Sequence, residues 1–326
     1  MKKAAAILSL LIFSISSMWC ETPVLNIGVL NGPSAVPGAY IMEKEEGSSN
    51  SSYNFQIFSG ADLELPKLLK GEIDIGVLPP NAAAKVWNNS KGNLLALAVV
   101  GEGNVSLLTT NLECKSLSDI LPGSTIYCAG RGATPEYMFR YILKEKNIPC
   151  SNNSSIRQNA LYLDFSIPNP EIAAALFSGK AEYILVPEPF ATVALMQGKN
   201  KGVKKVTTLS EEYASLKSSN DNFPMTLLVC NKKVYEEKKE VIEAFLSEYK
   251  TAVTWTNENP TEAGRLVEKH TLGLKANIAS ASIPNGAYVF YSAKDSKKKI
   301  ENLLKIFLDQ NEDSIGGKLP GNDLYK

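Results

Sequence analysis

The sequence GKAEYILVPEPFATVA at residues 179–194 repeats a pattern already present at residues 71–86, GEIDIGVLPPNAAAKV. Each copy begins with a glycine that ends a helix, continues as a short apolar strand, and reaches a proline before an alanine-rich helix. Such a segment is half of a βαβ unit. The matching positions, 108 residues apart, are Leu68, Gly71, Pro79 and Ala83 with Leu176, Gly179, Pro187 and Ala191.

A second set of matches, 100 residues apart, precedes the first. It pairs Gly32, Ser34, Lys44, Glu45 and Gly47 with Gly132, Thr134, Lys144, Glu145 and Asn147. Because both sets agree in order and spacing, we predict two similar α/β lobes. The carboxyl ends of strands in such lobes form the ligand-facing edge, where helix N-termini converge. Two facing edges would form a cleft, which indicates binding rather than catalysis.

The composition is that of a globular protein without a polyanionic partner. The 326 residues are 44% apolar, enough for two ordinary domains. Lys plus Arg and Asp plus Glu each number 34, so no basic surplus favours nucleic acid or an acidic membrane surface.

The N-terminus has the layout of a secretory signal peptide, which we predict over residues 1–20. Lys2 and Lys3 precede an apolar run at residues 4–13 and a serine-rich segment at 14–17. The apolar run is short for a membrane span. We therefore expect an exported protein, periplasmic or lipid-anchored; the alternative is a buried N-terminal helix.

Cys20 closes this region and is a candidate for lipidation, although Trp19 before it does not fit the small residue that lipoprotein processing prefers. Four further cysteines would form two disulfides in any of three connectivities, or stay as buried thiols: Cys114, Cys128, Cys150 and Cys230. Without a CxxC or His/Cys cluster, the sequence predicts neither a metal site nor a cofactor.

We predict that residues 21–110 and 225–326 form the first lobe and residues 111–224 the second. The chain would cross between lobes near Asn111 and near Phe223. The tail at 314–326 lacks periodicity and is expected on the surface.

Two strand ends of the second lobe contain residues that could bind a ligand. Arg131 lies in a glycine-rich turn before a helix that Thr134 would cap, and its charge would add to the helix N-terminus to favour an anionic group. Glu188 sits between two prolines, where it would face amino or hydroxyl groups, and Phe190 would stack on the ligand. We expect Arg131 and Glu188 on opposite sides of one ligand. The alternatives are a surface position for Arg131 and a core position for Phe190.

Signatures of enzymes are absent from the sequence. The single histidine, His270, follows Lys269 at a helix end, and no G-x-S-x-G, P-loop or G-x-G-x-x-G follows a predicted strand. No acid and base pair of carboxylates stands out, so we predict that the chain is not an enzyme.

The ordered segments resemble the substrate-binding proteins of ABC importers of the nitrate, sulfonate and taurine type, relatives of the binders of thiamine pyrimidine precursors. The segments are NGPSAVPGAYIMEKEE, GEIDIGVLPPNAA, GRGATPEYMFRYIL, GKAEYILVPEPFATVA, FPMTLLVCNKKVYEE, TWTNENPTEAGRLVEKH and SIGGKLPGNDLYK.

The resemblance implies an α/β, two-lobed periplasmic-binding-protein fold of type II, with two mixed sheets flanked by helices. It implies a monomer that closes on a sulfonate- or taurine-like anion or a vitamin-precursor heterocycle and delivers it to a permease and, through that, an ATPase. The ligand-binding residues carried over are Asn31, Gly32, Pro33, Ser34, Phe58, Ser59, Gly60, Pro79, Pro80, Asn81, Arg131, Gly132, Ala133, Thr134, Glu188, Phe190, Asn222 and Phe223.

Two other functions stay open at this point. Enzymes of the same fold include menaquinone-pathway lyases and a pyrimidine synthase, but these act in the cytoplasm and the synthase uses histidines that this chain lacks. An exported ligand sensor or adhesin would instead lack a neighbouring permease gene.

Overall fold

The computed structural model describes residues 24–46, 48, 51–128, 130–153 and 158–326. The predicted signal peptide and Cys20 lie outside these residues. The strands are β1 (Leu25–Leu30), β2 (Tyr53–Phe58), β3 (Ile75–Leu78), β4 (Leu94–Glu102), β5 (Val105–Thr109), β6 (Thr125–Cys128), β7 (Cys150–Ser151), β8 (Leu161–Asp164), β9 (Tyr183–Pro187), β10 (Lys204–Thr208), β11 (Pro224–Asn231) and β12 (Tyr288–Ser292).

The helices follow the same chain order, with short 3-10 turns between some of them. They are α1 (Gly38–Glu45), α2 (Ala61–Lys70), α3 (Pro80–Asn89), α4 (Thr134–Glu145), α5 (Asn169–Phe177), α6 (Phe190–Gly198), α7 (Leu209–Lys217), α8 (Lys232–Glu237), α9 (Lys239–Glu258), α10 (Pro260–Lys269), α11 (Ala276–Ser282) and α12 (Lys297–Gln310).

The strands form two six-stranded mixed sheets. The first has the order β12-β4-β11-β3-β1-β2, in which β1 is parallel to β2 and β3, and β11 is antiparallel to β3 and β4. The second has the order β10-β5-β9-β6-β8-β7, in which β6 is parallel to β8 and β9, and β5 is antiparallel to β9 and β10. The predicted pair of sheets flanked by helices is confirmed.

The sequence repeat corresponds to a repeat of topology. The series β2-β1-β3 with antiparallel β11 has the same arrangement as β8-β6-β9 with antiparallel β5. Gly71 and Gly179 both have left-handed backbones, with φ 74° and 76°, and their N–H groups bond the carbonyls of Leu68 and Leu176. Glycine reaches this conformation without a Cβ clash, so the predicted helix stops have a physical cause.

The first crossing between sheets lies earlier than the sequence suggested. Strand β4 ends at Glu102 in the first sheet, and β5 begins at Val105 in the second, so the chain crosses at Gly103 and Asn104. The predicted limit after residue 110, with a crossing near Asn111, placed β5 in the wrong lobe because its apolar sequence does not reveal which sheet it joins. Phe223 does lie in the second crossing, just before β11.

Helix α12 packs against helices of both sheets. Its Phe307 ring lies 4.6 Å from the ring of Tyr137 in α4, and Gln310 Nε2 donates to the Tyr137 carbonyl at 2.9 Å. On the other side α12 contacts α3. One apolar core therefore continues from the first sheet through α12 into the second.

The four cysteines Cys114, Cys128, Cys150 and Cys230 are free thiols. Burial raises the pKa of each of these thiols, which favours their uncharged and unreactive form. Of the alternatives that the sequence leaves open, the structure therefore has free thiols, three of them buried and Cys150 half-buried.

Candidate ligand-binding site

A cavity of about 320 Å³ lies where the two sheets face each other. Its volume suits a small organic molecule. Both sheets, the first crossing and the helix-rich C-terminal part contribute to its wall. The wall is lined by Leu30, Asn31, Pro33, Ser34, Val100, Gly101, Glu102, Asn104, Pro187, Glu188, Phe190, Met225, Thr226, Tyr249, Gly286 and Tyr288.

The turn after β1 forms one side of the cavity and is held by backbone hydrogen bonds. Asn31 N–H donates to the Phe58 carbonyl at 2.7 Å, and Gly32 N–H donates to the Leu272 carbonyl at 3.0 Å. Gly32 has φ 107°, a value that other residues rarely adopt. The Ser34 hydroxyl donates to the Leu30 carbonyl at 3.0 Å. The turn is thus fixed before a ligand arrives.

Glu188, directly after β9, forms the opposite side. Its backbone N–H donates to the Asn104 carbonyl at 3.0 Å, which ties the strand end to the first crossing. Its Oε2 accepts a hydrogen bond from Thr192 N–H at 3.1 Å, so the carboxylate also caps α6. Only 4% of Glu188 is exposed, and this burial raises the pKa of its carboxyl group above the ordinary value.

Two buried tyrosines form an aromatic part of the wall. Tyr249 comes from α9 and Tyr288 from β12, and burial raises the pKa of both phenols, which therefore stay protonated. A side chain at Gly286 would overlap the Tyr288 ring, so this glycine permits the ring position. The tyrosines offer apolar ring faces rather than charge.

The two crossings lie side by side. Gly103 N–H donates to the Phe223 carbonyl at 2.9 Å, and Asn222 Nδ2 donates to the Gly103 carbonyl at 3.1 Å. Next to them, Glu102 pairs with Lys299 of α12 at 2.8 Å. Such paired connections are where two lobes can rotate about a common axis.

A smaller, more polar compartment of about 230 Å³ adjoins the cavity. The two spaces share Asn104 and Glu188, and Lys205 and Asn222 also line the smaller one. Glu188 therefore stands between an aromatic space and a polar one.

Five residues that the sequence predicts to bind a ligand line the cavity: Asn31, Pro33, Ser34, Glu188 and Phe190. Gly32 holds the same turn without belonging to the lining, and Asn222 lines the smaller compartment. Phe223 is 1% exposed and packs against Tyr213, so the structure gives it a packing position at the crossing.

The remaining predicted residues lie outside the cavity lining, and their contact with a ligand stays a prediction: Phe58, Ser59, Gly60, Pro79, Pro80, Asn81, Arg131, Gly132, Ala133 and Thr134. Within the described residues, Asn81 Oδ1 and Thr134 Oγ1 are buried without a hydrogen-bond partner. Both lie at the start of a helix that follows a strand.

Arg131 and Glu188 are not brought together around this cavity. The Arg131 guanidinium lies 4.9 Å from the centre of the Phe165 ring and is exposed. Phe165 follows β8, which borders β6 on the side away from β9. The shared ligand contact of Arg131 and Glu188 stays a prediction that the lining of the cavity does not support.

Sequence reasoning missed the residues that reach the cavity from distant parts of the chain. Tyr249 packs in the core through α9 and also lines the cavity. Three other lining residues, Glu102, Asn104 and Tyr288, come from β4, the first crossing and β12. No local sequence pattern revealed that these segments would lie next to one another. Only the lobe topology could have indicated them.

In the described residues, one cluster has ligand atoms close enough for a metal ion: Glu43, Glu46 and His270. Lys269 Nζ lies 2.7 Å from Glu43 and 2.6 Å from Glu46. Because this lysine already compensates both carboxylates, we assign the cluster to ion pairing between α1 and the end of α10.

Two facing α/β sheets with a cavity between them define a two-lobed periplasmic-binding-protein fold. The chain belongs to the NMT1-like family, whose sequence model matches residues 20–269. None of the curated proteins compared with the chain matches it in sequence.

Solved structures share the fold over nearly the whole chain. An ABC transporter protein from Parabacteroides distasonis is 22% identical, with a TM-score of 0.75 over 93% of this chain and 98% of that one. The aliphatic sulphonate-binding protein SsuA from Escherichia coli is 16% identical, with a TM-score of 0.65 over 91% of each chain. The nitrate-binding protein NrtA from Synechocystis is 13% identical, with a TM-score of 0.64 over 89% and 82%. A search of the described residues for a helix of membrane-spanning length and hydropathy found none.

Proposed function

We propose that this protein is the extracytoplasmic ligand-binding component of an ABC importer. It captures a small organic molecule between its lobes and presents the closed complex to a permease, which an ATPase drives. The observation that carries this proposal is the cavity at the junction of both sheets, since closing the lobes would enclose a ligand on all sides.

The wall of the cavity supports binding rather than turnover. Its ionisable residues are Glu102, Glu188, Tyr249 and Tyr288; Glu102 is paired with Lys299, and both phenols are held protonated by burial. Acid and base chemistry needs a partner for Glu188 whose pKa lies near the working pH. The described lining offers no histidine, cysteine or lysine for that role.

The crossings support opening and closing. Gly103 and Asn222 join the two connections by hydrogen bonds, so the connections would rotate together and the sheets would move as rigid bodies. The related structures, named for ABC transporter, sulphonate-binding and nitrate-binding proteins, agree with such a role. Export through the signal at residues 1–20, with or without a lipid on Cys20, would place the protein beside its permease.

The test is native mass spectrometry of the protein isolated from the cells that naturally express it. We expect a small molecule that stays bound under native conditions, leaves on denaturation and rebinds to the refolded protein. A bound molecule that is chemically changed on prolonged incubation would instead identify an enzyme. A protein that carries nothing and binds none of the compounds from a cell extract would refute the proposal.

A further inference from the structure

The cavity carries negative charge that protein cations only partly compensate. Glu102 and Glu188 both line it, and the described lining contains no lysine, arginine or histidine. Glu102 has a partner, because Lys299 Nζ lies 2.8 Å from its Oε1. Glu188 forms no ion pair with any described residue.

Glu188 is surrounded by groups that do not neutralise it. The ionisable groups around it are Lys205, Glu211, Tyr249, Tyr288 and the Glu102–Lys299 pair. Lys205 is exposed on β10 and lies beyond ion-pair distance. Burial therefore outweighs the Lys205 charge, and the net effect raises the pKa of Glu188.

A second hydrogen-bond acceptor lies beside this carboxyl group. Asn104 Oδ1 is buried and has no partner among the described residues, and the Asn104 carbonyl already binds the Glu188 N–H. Two neighbouring side chains thus offer acceptors at one end of the cavity. Buried acceptors are stabilised by ligand N–H donors, and a carboxylate is stabilised most by a charged donor.

The rest of the cavity is apolar or aromatic. Phe190, Val100 and Met225 line it together with the rings of Tyr249 and Tyr288. Aromatic faces attract cations through their ring quadrupoles and also pack against flat apolar groups. A sulfonate or nitrate would find no counter-ion in this lining.

We propose that the ligand is a small organic cation, an ammonium or amidinium group on an apolar or aromatic body, whose charge lies against Glu188 and Asn104. This inference rests on the proposed function and selects among its ligands, since it rejects sulfonate-like anions. The carboxylate would serve as the counter-ion, and the aromatic wall would hold the body of the ligand.

Binding of a cation and ionisation of Glu188 favour each other. When a cation binds the ionised carboxylate, the proton of Glu188 is released to solvent in the pH range where the free protein still holds it. Affinity for a cation therefore rises with pH until Glu188 is ionised in the free protein, and is constant above that. An anionic ligand would show the opposite dependence.

The test uses benzamidine, benzamide and benzoate, three flat molecules of similar size that are cationic, neutral and anionic. Thermal unfolding at millimolar concentrations of each, followed by calorimetry, measures their affinities. We expect benzamidine to bind most tightly and its affinity to rise with pH. Glu188→Gln keeps an oxygen for Thr192 N–H but loses the charge, and should weaken benzamidine binding about tenfold or more.

Glu64→Gln is the matched control. Glu64 is a second buried carboxyl group outside the cavity, so this variant should keep the benzamidine affinity and its pH dependence. Stronger binding of benzoate or benzamide, binding of none of the three, or an affinity independent of both pH and Glu188 would overturn the inference. If Glu188→Gln does not fold, the pH dependence of benzamidine affinity in the wild type still tests the inference.

The two proposals fail in different ways. If native mass spectrometry finds a bound anion, the ligand class is wrong and the binding function stands. If the protein binds no molecule from the cell extract, the binding function itself is wrong.

Discussion

Glu64 of α2 is a fully buried carboxyl group that should make the stability of the protein depend on pH. It lies against the first sheet at two glycines, and a side chain at Gly28 would place its Cβ 2.7 Å from Oε1 of Glu64. Oε1 accepts a hydrogen bond from Val77 N–H at 2.9 Å, while Oε2 has no partner among the described residues. Burial raises the pKa of Glu64 from 4.5 to about 7.

The size of the effect follows from this pKa. A shift from 4.5 to about 7 corresponds to about 3 kcal/mol of preference for the protonated form in the folded protein. The folded protein therefore binds the Glu64 proton more tightly than the unfolded chain does. Stability from this group is present below about pH 4.5, falls as pH rises towards about 7, and is constant above that.

The assay compares denaturant unfolding of the wild type and Glu64→Gln between about pH 4.5 and about pH 8. The variant cannot ionise at this position, so the difference between the two free energies of unfolding should change by about 3 kcal/mol over this range. Other titrating groups, including Glu188, are present in both proteins and cancel. A difference that stays constant within about 0.5 kcal/mol would refute the reasoning.

Three further predictions concern the crossing, closure and export. Gly103→Ala would place a Cβ 2.5 Å from Cζ of Phe223, so we expect about 1 to 3 kcal/mol of destabilisation by thermal unfolding, against little change in the unstrained control Gly38→Ala. The molecule found by mass spectrometry should reduce the radius of gyration in small-angle scattering; an unchanged profile at saturation would indicate a rigid cleft. Palmitate should label the wild type but not Cys20→Ser, and label that survives the substitution would remove Cys20 as the attachment site.

Local chemistry allowed the repeated units and several site residues to be predicted from the sequence. Gly71 and Gly179 end their helices in a left-handed backbone conformation, which glycine adopts more easily than other residues. The acidic strand end at Glu188 was predicted from where its strand ends, and it lies at the cavity. This feature and the glycine stops depend only on neighbours in sequence. The turn at residues 31–34, which also lies at the cavity, was assigned through the resemblance to ABC-importer binding proteins.

Features that depend on distant pairing escaped prediction. The apolar sequence of a strand such as β5 is compatible with either sheet. Only its pairing with β9 and β10 determines which sheet it joins. The tail without periodicity was expected on the surface, yet Leu324 is fully buried and the Lys326 N–H bonds the Ala96 carbonyl of β4. The tail is buried by contacts with other elements of the fold, and its own sequence pattern does not reveal those contacts.

The order of strands in the two sheets has a consequence for the order in which the two lobes fold. All strands of the second sheet come from one continuous stretch, from Val105 to Thr208, whereas the first sheet needs β11, β12 and the returning tail. Pairings between distant parts of a chain form slowly, because a long loop must first close. We therefore expect the second lobe to assemble first, and the early strands of the first lobe to stay incompletely paired until β11, β12 and α12 are added.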